Sequence, residues 1–499
     1  MSNDINDKQE AKRYFSRELL AWYDEHKRDL PWRRSRNPYH IWISEIMLQQ
    51  TRVDTVIPYF LRFTKRFPTV ESLAEAPEED VLKHWEGLGY YSRARNIQAA
   101  AKQVVERHGG IVPDTPEEIS ALKGIGPYTA GAVLSIAYNV PVPAVDGNVM
   151  RVLSRYFCLS DDIAKNATRV KMEKLAGELI PTGRASDFNQ ALMELGALVC
   201  TPKSPHCLTC PVMKHCEGRM NGMEEQLPIK TKAKPPRPEY RLLAVIEGQG
   251  EHAGKVLIRQ RPATGLLARM WELPHVLASD AKKAGAGAEL SETAAMERLG
   301  HVLETEGVEV RPQLEWMSAE HTFSHIQWYM RVFRCTEAGQ DRQAALARQC
   351  HKGAGDFTRT DDVQNTAVAK GEHAGKVAHK RVGTFDNPHD RDEAALPMSA
   401  NKHEQQVEQG MFDLRLSGAT PEVMTRIRQQ LAASAIADTL EPIEHVAEQP
   451  ETYAAVPGTL LGEAFAYDYR WISADDMGKY AFPNLFLKIL QQYFGIKRA

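Results

Sequence analysis

The 499-residue sequence lacks several features that would place it in a class at once. It contains no uncharged apolar run of about 18 residues, so a transmembrane helix is not expected. It has no excess of one charge, because 62 basic residues stand against 65 acidic ones, and any anion-binding surface must therefore be local. Its first residues, MSNDINDKQEAKRYF, match neither a secretory signal nor a typical transit peptide.

Cysteine is also scarce, since only seven are present, and this argues against a disulfide framework. Four of the seven fall within seventeen positions, with the spacing C-x6-C-x2-C-x5-C. These four are Cys200, Cys207, Cys210 and Cys216. Clustered cysteines in a chain without an export signal indicate a metal site in a reducing compartment. The remaining cysteines, Cys158, Cys335 and Cys350, have no such context and are interpreted as ordinary thiols.

The spacing of the four cysteines fits either a structural zinc ion or an iron–sulfur cluster. Two features favour the cluster. Zinc ribbons usually carry two C-x2-C pairs and this loop has one, and Pro211 follows a cysteine directly, as in several cluster motifs. In either case Lys203 and Lys214 could present positive charge to a phosphate backbone.

The pattern of apolar residues and prolines divides the chain. Residues 8–220 have helical periodicity, with prolines at intervals suited to short helices. The Lys- and Pro-rich segment Leu227–Tyr240 is typical of a linker. Strands are predicted at four later segments and a helix at a fifth, which together indicate a separate α+β domain. These segments are Arg241–Ile246, Lys255–Arg259, Gln327–Phe333, Ala464–Ile472 and, for the helix, Leu485–Phe494.

A long insertion is predicted to interrupt this second domain. Residues 336–461 are rich in Ala, Gln, His, Asp and Lys and contain few aromatic residues. Within them, Gly353–Gly410 is expected to be poorly ordered, and Pro421–Leu440 has helical propensity. A solvated insertion is favoured over a specific interaction site.

Two glycines mark a junction between predicted helices. Gly124 and Gly126, in LKGIGPYTAGAV, permit a tight turn that exposes backbone N–H groups at a helix N-terminus, which suits a DNA phosphate. A dinucleotide-binding interpretation fails, because the string is G-x-G-x-x-T and follows a helical pattern. An ordinary turn between two helices, without a binding role, is the alternative.

These motifs together carry a resemblance to a known family. The glycine turn, the later VDGNVMR and the cysteine loop resemble the helix-hairpin-helix DNA glycosylases. More narrowly, ISEIMLQQT (Ile43–Thr51), GLGYYSRAR (Gly87–Arg95) and ALVC (Ala197–Cys200) are similar to the MutY adenine glycosylases, in order across residues 15–220. The cysteine spacing matches the [4Fe-4S] loop of the endonuclease III and MutY families. The resemblance therefore implies a [4Fe-4S] cofactor.

Two carboxylates are the candidate catalytic pair. Glu45 has apolar helical neighbours, so burial should raise its pKa and keep it protonated, although an arbitrary helical Glu is more often a capping or salt-bridged acid. Asp146 precedes Gly147-Asn148 at a position suited to a helix N-cap, which should keep it ionised. Cleavage of an N-glycosidic bond needs both a proton donor for the base and an anion facing the sugar cation.

The resemblance assigns roles to these residues. It implies that Glu45 protonates adenine at N7, that Asp146 supports the cation, and that Tyr128 and Asn148 assist by hydrogen bonding. Glycosylases that also nick the strand have a nucleophilic lysine where this chain has Tyr128, which cannot form a Schiff base. A monofunctional enzyme that leaves an abasic site is therefore predicted.

Base extrusion from the duplex requires further residues. The resemblance implies that Gln50 and Tyr90 fill or wedge the gap. It places four more side chains around the adenine pocket, namely Arg28, Trp32, Arg33 and Gln190. Ordinary core packing is the alternative for the aromatic residues. Some relatives have glutamate in place of Gln190, which leaves its contact with adenine open.

The C-terminal domain resembles the Nudix-like domain of the same family. Nucleotide hydrolysis needs the acidic motif REUxEExGU, where U is apolar, and the nearest stretch, Glu297–Glu306, lacks its spacing. A recognition role is therefore predicted. Phe323, Ser324 and His325 match the family's loop that inspects 8-oxoguanine. From the residues alone, the end of a strand with a hydrogen-bonded His325 is the favoured interpretation.

The predicted fold is multidomain, an all-α helix-hairpin-helix glycosylase with a cluster loop followed by an α+β Nudix-like domain. The helical domain covers residues 1–225, with a six-helix subdomain at about 31–139 and a cluster subdomain at about 8–30 and 140–225. A linker at 226–238 leads to a Nudix-like domain at 239–335 and 462–497, with the insertion at 336–461 between its two parts.

The predicted function is removal of adenine opposite 8-oxoguanine or guanine in double-stranded DNA, by a monomer without membrane association, in the cytoplasm near the nucleoid. The first alternative is an endonuclease III-like glycosylase and lyase acting on oxidised pyrimidines, against which Tyr128 and the C-terminal domain argue. The second is a non-catalytic mismatch-binding protein, against which retention of both Glu45 and Asp146 argues.

Overall fold

The computed structural model describes residues 2–278, 290–338 and 467–496. The expectations of poor order at Gly353–Gly410 and of a helix at Pro421–Leu440 lie outside these residues, as does Cys350. Within the described ranges, no helix combines the length and the apolar composition needed to cross a bilayer.

The N-terminal part consists of helices, as predicted. In chain order they are α1 Ser2–His26, α2 Pro38–Leu48, α3 Val53–Arg66, α4 Val70–Glu75, α5 Glu78–Trp85, α6 Ser92–His108, α7 Pro116–Ser120, α8 Pro127–Tyr138, α9 Gly147–Tyr156, α10 Asn166–Leu179, α11 Ala185–Leu198 and α12 Glu217–Met220. Pro31–Arg33, Cys207–Thr209 and Met213–His215 form short 3-10 turns.

Helix α2 lies at the centre of the helical part. Asn37 caps its first turn, because the side chain accepts a hydrogen bond from the Tyr39 N–H at 2.9 Å, and Pro38 occupies the first helical position, where no N–H is needed. Its residues from Ile41 to Met47 are all buried. A helix that is apolar on every side is stable only inside a core. Glu45 is consequently carried into that core.

The helical part has two groups of buried residues. One surrounds α2 and includes residues of α3 to α8, and the other joins α1, α9, α10 and α11. Phe15, Val149 and Phe188 are fully buried in the second group. The candidate catalytic residues come from helices of both groups, since Glu45 lies on α2 and Asp146 immediately precedes α9.

The C-terminal part is a mixed sheet with helices packed on it. The described strands are β1 Arg237–Glu247, β2 Val256–Gln260, β3 Trp271–Glu272, β4 His275–Leu277, β5 Val310–Thr322, β6 Ile326–Glu337 and β7 Tyr469–Ile472. The order is β3-β2-β1-β6-β5, with β4 paired to β1 and β7 paired to β2. Strands β1 and β6 are parallel, and the other pairs are antiparallel. Helix α13, Glu292–Thr305, packs on β5, and α14, Asn484–Tyr493, completes the domain.

The predicted strands and the C-terminal helix are confirmed to within a few residues, except that the strand predicted at Ala464–Ile472 is described only from Tyr467 onward and begins at Tyr469. The predicted end of the linker is wrong. Arg237–Tyr240 belongs to β1, because these residues pair in parallel with β6 from Ile326 onward. Pro238 is tolerated near the start of the strand, where one missing N–H costs little pairing.

The sheet domain packs directly against the helical part. Lys83 on α5 donates hydrogen bonds to the carbonyl oxygens of Met477 and Tyr480, at 3.2 and 2.8 Å. On the next turn, Glu86 accepts a hydrogen bond from the Phe482 N–H at 2.7 Å. Buried residues of the two parts form one continuous group. The segment between β7 and α14 therefore anchors the sheet on the α5 side of the helical part.

Candidate active site

The centre of the candidate site is a hydrogen bond between Tyr128 and Glu45. Glu45 is 5% exposed on α2, and the Tyr128 hydroxyl donates to its Oε2 at 2.6 Å. Tyr128 reaches this position because α8 begins at Pro127, directly after the glycine turn. Burial, above all, raises the pKa of Tyr128 well above its usual value, so the phenol stays protonated and acts as a donor.

The carboxyl of Glu45 is set up to hold a proton near neutral pH. Its pKa is raised to about 7, chiefly by burial and also by the negative charge of Asp146. The hydrogen bond from Tyr128 and the charge of Arg33 oppose this rise without cancelling it. The predicted burial and raised pKa of Glu45 are confirmed.

Asp146 is the N-cap of α9, as predicted. It accepts hydrogen bonds from the Val149 N–H at 2.8 Å and from the Asn148 amide at 2.7 Å, and the Asn148 oxygen accepts one from Arg151 at 2.8 Å. The expectation that the cap favours the ionised form holds for these hydrogen bonds, but burial opposes them. Burial is the largest influence and raises the pKa of Asp146, although these donors lower it.

A buried glutamate not singled out in the sequence organises the neighbouring cations. Glu194, on α11, is 1% exposed and accepts paired hydrogen bonds from the guanidinium groups of Arg28 and Arg33, at 2.8 to 3.1 Å. Burial alone would raise the pKa of Glu194, but these bonds outweigh burial and lower it to about 2. The sequence feature that could have identified Glu194 is an acidic residue within the apolar segment ALMELGAL.

Gln190 lies one turn before Glu194 on the same helix. Its side-chain oxygen accepts a hydrogen bond from Arg33 at 3.1 Å, and its nitrogen donates to the Ser186 carbonyl at 3.2 Å. Trp32 is buried and packs edge-on against Phe60 at 5.4 Å. The structure thus brings Arg28, Arg33 and Gln190 together, whereas the ring of Trp32 is largely occupied by core packing.

The two predicted wedge residues share an unusual backbone conformation. Gln50 and Tyr90 have φ values of 56° and 48°, in the left-handed region that side chains other than glycine rarely adopt. Gln50 is exposed at the end of α2, and Tyr90 is half-buried before α6. Both therefore sit on sharp turns.

The predicted turn between helices is present, and its two glycines have different conformations. Gly124 has φ 76°, and a Cβ there would lie 2.7 Å from the Cβ of Asn96, so glycine is required. Gly126 is the N-cap of α8 with φ −93°, a conformation open to any residue, and nothing lies within 4 Å of a Cβ. The conformation that requires glycine therefore occurs at Gly124, and Gly126 serves as the N-cap.

The triplet Phe323, Ser324 and His325 forms the turn between β5 and β6. The Phe323 N–H donates to the Ile326 carbonyl at 2.7 Å, which closes the turn, and the hydroxyl of Ser324 lies 3.2 Å from Nδ1 of His325. The Phe323 ring packs edge-on against Trp328 at 4.8 Å. The two polar side chains consequently stand at the tip of a hairpin whose aromatic base is anchored.

The four clustered cysteines line one pocket that opens to solvent. All four are free thiols, and Arg155 donates to the Cys200 sulfur at 3.4 Å. Burial raises the pKa of Cys210 to about 12 and that of Cys216 to about 11, so both remain protonated unless a cation binds. Over the described ranges, no three Cys, His, Asp or Glu side chains are arranged to hold a single metal ion. Four thiols distributed around a cavity fit a multi-iron cluster better than one ion.

Comparison with known proteins gives matches to both parts of the chain. The HhH-GPD superfamily of base excision DNA repair proteins matches residues 43–178, and the NUDIX domain family matches residues 244–373. The adenine DNA glycosylase of Rattus norvegicus is 38% identical over 383 residues, which cover 65% of this chain and 71% of the rat protein. That of Homo sapiens is 37% identical over 376 residues, which cover 65% of this chain and 67% of the human protein. Among solved structures, a thermostable thymine-DNA glycosylase is 29% identical and covers 43% of this chain and 99% of its own, with a TM-score of 0.40.

Proposed function

Because this chain belongs to the adenine DNA glycosylase family and is a DNA N-glycosylase of base excision repair, we propose that it releases adenine paired with 8-oxoguanine or guanine. The substrate is double-stranded DNA, the bond hydrolysed is the N-glycosidic bond, and the product is an abasic site. The observation that carries the proposal is the buried Glu45 carboxyl, with a pKa of about 7, in contact with Tyr128 and electrostatically coupled to Asp146.

Glu45 supplies the proton that the departing base needs. Adenine is a poor leaving group as an anion, and protonation at N7 makes it a neutral one. A carboxyl with a pKa of about 7 is protonated in about half of the molecules at neutral pH, whereas one with the usual value of 4.5 is almost wholly ionised. The Tyr128 hydroxyl donates to one carboxyl oxygen, which directs the acidic O–H away from it.

Asp146 stabilises the sugar cation left by the departing base. Its donors, Val149 and Asn148, fix the carboxylate and favour the anion. A carboxylate close to a developing oxocarbenium ion lowers the barrier and can trap the cation covalently until Glu45, now ionised, activates water. Tyr128 cannot form the Schiff base that strand cleavage requires, so the reaction stops at the abasic site.

The surrounding residues extrude and hold the adenine. Gln50 and Tyr90 wedge the opened duplex. Backbone N–H groups of the glycine turn and of the first turn of α8 bind a phosphate, apart from Pro127, which has no N–H, and Ile125, whose N–H donates to the Leu122 carbonyl. Arg28, Trp32, Arg33 and Gln190 surround the base. Support comes from the cationic pair held by Glu194, whose guanidinium groups already have fixed orientations.

The cysteine loop is proposed to hold a [4Fe-4S] cluster on Cys200, Cys207, Cys210 and Cys216. When bound, the cluster would supply a rigid frame for a loop whose lysines, Lys203 and Lys214, face DNA. In the sheet domain, Phe323, Ser324 and His325 are proposed to read 8-oxoguanine. An aromatic ring beside two short hydrogen-bonding side chains suits detection of its added oxygen and its N7–H.

We also propose the domain division predicted from the sequence, with two boundaries moved. The linker ends before Arg237, and the insertion begins after Glu337 instead of at 336, because Thr336 and Glu337 belong to β6. The enzyme is proposed to act as a monomer in a DNA-containing compartment. The two family matches, over residues 43–178 and 244–373, support the division, and the base excision repair family supports a DNA-containing compartment.

The direct test uses purified protein and four duplexes in which adenine faces 8-oxoguanine, guanine, cytosine or thymine. After incubation, each sample is divided, and one half is treated with alkali to cleave abasic sites. The proposal expects strand breaks in the first two duplexes only, and only after alkali. Breaks without alkali would establish a lyase instead, and equal release from all four duplexes would refute the mispair specificity.

Glu45→Gln is the matched control, because the amide has the shape of the carboxyl and still accepts the Tyr128 hydrogen bond, but cannot deliver the proton. It should abolish base release while leaving lesion affinity largely intact, measured by gel shift. Release at the wild-type rate would remove Glu45 from the mechanism.

A further inference from the structure

Arg93, on α6, is a buried cation that hydrogen-bonds to backbone carbonyls. It is 4% exposed, and burial lowers its pKa to about 10, which still leaves it charged at neutral pH. Its two terminal nitrogens donate hydrogen bonds to five backbone carbonyl oxygens, and no carboxylate of the described residues is among its hydrogen-bond partners. A buried charge without a carboxylate is costly unless its hydrogen bonds are placed well.

The acceptors belong to two turns that are distant in sequence. Nη1 donates to the carbonyls of Ile46, Met47 and Gln49, at 2.6, 3.1 and 2.8 Å. These carbonyls form the C-terminal end of α2, where a cation is favoured by the helix dipole. Nη2 donates to Gly89 at 3.2 Å and to Leu88 at 3.5 Å, at the turn before α6.

Each turn leads directly into a wedge residue. The Gln49 carbonyl belongs to the peptide group that precedes Gln50, and the Gly89 carbonyl belongs to the one that precedes Tyr90. Both wedge residues have left-handed backbones, which cost about 1 kcal/mol or more in a side chain other than glycine and persist only when the surroundings hold them. One planar guanidinium thus orients both strained peptides.

The guanidinium also supports the aromatic wedge itself. Its carbon lies 5.5 Å from the centre of the Tyr90 ring and 5.4 Å from that of Trp85, within the range of cation–π attraction. The same group therefore constrains the backbone of Gln50 and both the backbone and the ring of Tyr90.

We propose that Arg93 is a positioning residue that fixes the two wedge turns relative to each other, so that Gln50 and Tyr90 enter the duplex as one rigid unit. This rests on the proposed function, in which these two residues assist adenine extrusion. Lysine cannot replace it, because a single ammonium group cannot span two turns with a fixed planar fork.

The test compares Arg93→Lys with wild type on two duplexes, under single-turnover conditions. Both contain adenine opposite 8-oxoguanine, but in the second the pair is flanked by mismatches, which lower the cost of unstacking. The proposal expects the rate of base release to fall by about a hundredfold on the first duplex and far less on the second, because misplaced wedges matter only where the base must be extruded. Arg107→Lys, at an exposed position on the same helix, should match wild type on both.

The outcomes separate the proposal from its premise. Failure of wild type to release adenine from either duplex would refute the proposed function. An active wild type with an equal loss on both duplexes in Arg93→Lys would refute the positioning role and indicate general damage to the site.

A second measurement leaves Arg93 in place, for use if Arg93→Lys does not fold. Gln50→Pro forces φ at an exposed turn residue from 56° to about −65°, which moves the Gln49 carbonyl. If one guanidinium joins the turns, hydrogen exchange should accelerate at residues 86–92 as well as around position 50. Unchanged exchange at residues 86–92 would overturn the proposal.

Discussion

Glu45 should make the folded protein less stable as pH rises, which is the opposite of what an ion-paired surface acid does. In the unfolded chain its carboxyl has the usual pKa of about 4.5, and in the folded protein burial raises this to about 7. Between these values the folded protein holds a proton that the unfolded chain has released. The free energy of unfolding therefore decreases as pH rises through this interval.

The size of the effect follows from the two pKa values. A pKa of about 7 in place of 4.5 corresponds to a loss of about 3 kcal/mol from the free energy of unfolding between pH 4.5 and pH 8. Glu45→Gln removes the titrating group but keeps the shape and the acceptor for Tyr128. The variant should thus be about 3 kcal/mol more stable than wild type at pH 8, relative to any difference at pH 4.5.

Urea denaturation of both proteins at intervals from pH 4.5 to pH 8 measures this difference directly. All other titrating groups are shared, so subtracting the two curves isolates Glu45. Base release should show the matching kinetic profile, with the wild-type rate falling as pH rises above about 7. Two parallel stability curves would refute the reasoning, because they would mean that Glu45 is ionised in the folded protein at little cost.

Three further predictions concern other parts of the molecule. Glu194→Gln should lower the free energy of unfolding at neutral pH, because the lowered pKa of Glu194 stabilises the folded protein only while the group is ionised. The variant should also lose less of this free energy than wild type between about pH 4.5 and pH 2. Urea denaturation at these pH values measures both effects. Cys210→Ser should lower bound iron in chemical assays, whereas Cys158→Ser, outside the cysteine cavity, should not. Gly131→Ala should destabilise by about 1–3 kcal/mol in thermal melts, since its Cβ would lie 2.1 Å from the Pro143 carbonyl, whereas Gly177→Ala, with open space in α10, should stabilise by up to about 1 kcal/mol.

The features that the sequence predicted correctly are those encoded locally. The burial of Glu45 follows from the apolar residues on either side of it in α2, and the cap at Asp146 follows from an acid placed just before a helix. Strands β1, β2 and β6 were recognisable as short β-branched runs, whereas β3, β4 and β5 were not predicted. The linker was misjudged at Arg237–Tyr240 because charged and proline residues at the start of a strand resemble coil in sequence until the partner strand, β6, is known.

Glu194 and Arg93 were missed for the opposite reason. The partners of Glu194 lie about 160 residues earlier in the chain. Arg93 binds carbonyls of two segments, one more than 40 residues before it and one immediately before α6. Glu194 is a single acid in an apolar helix. Arg93 lies within the segment Gly87–Arg95 that carries the family resemblance, but nothing in that segment shows which of its arginines is buried or what it binds. Only the packing of α2 against α6 and of α1 against α11 reveals what they hold.

The same packing explains how two neighbouring carboxyls can have different charges. Burial raises the pKa of both, and each would repel the other if both were ionised. Asp146 receives donors from Val149 and Asn148, whereas among the described residues Glu45 receives a hydrogen bond only from the Tyr128 hydroxyl, so the anion is better stabilised on Asp146. The negative charge therefore settles at the helix N-terminus and the proton stays on Glu45. An N-cap is thus not merely a structural alternative to a catalytic role at Asp146, because capping is what keeps the charge on the carboxylate proposed to face the sugar.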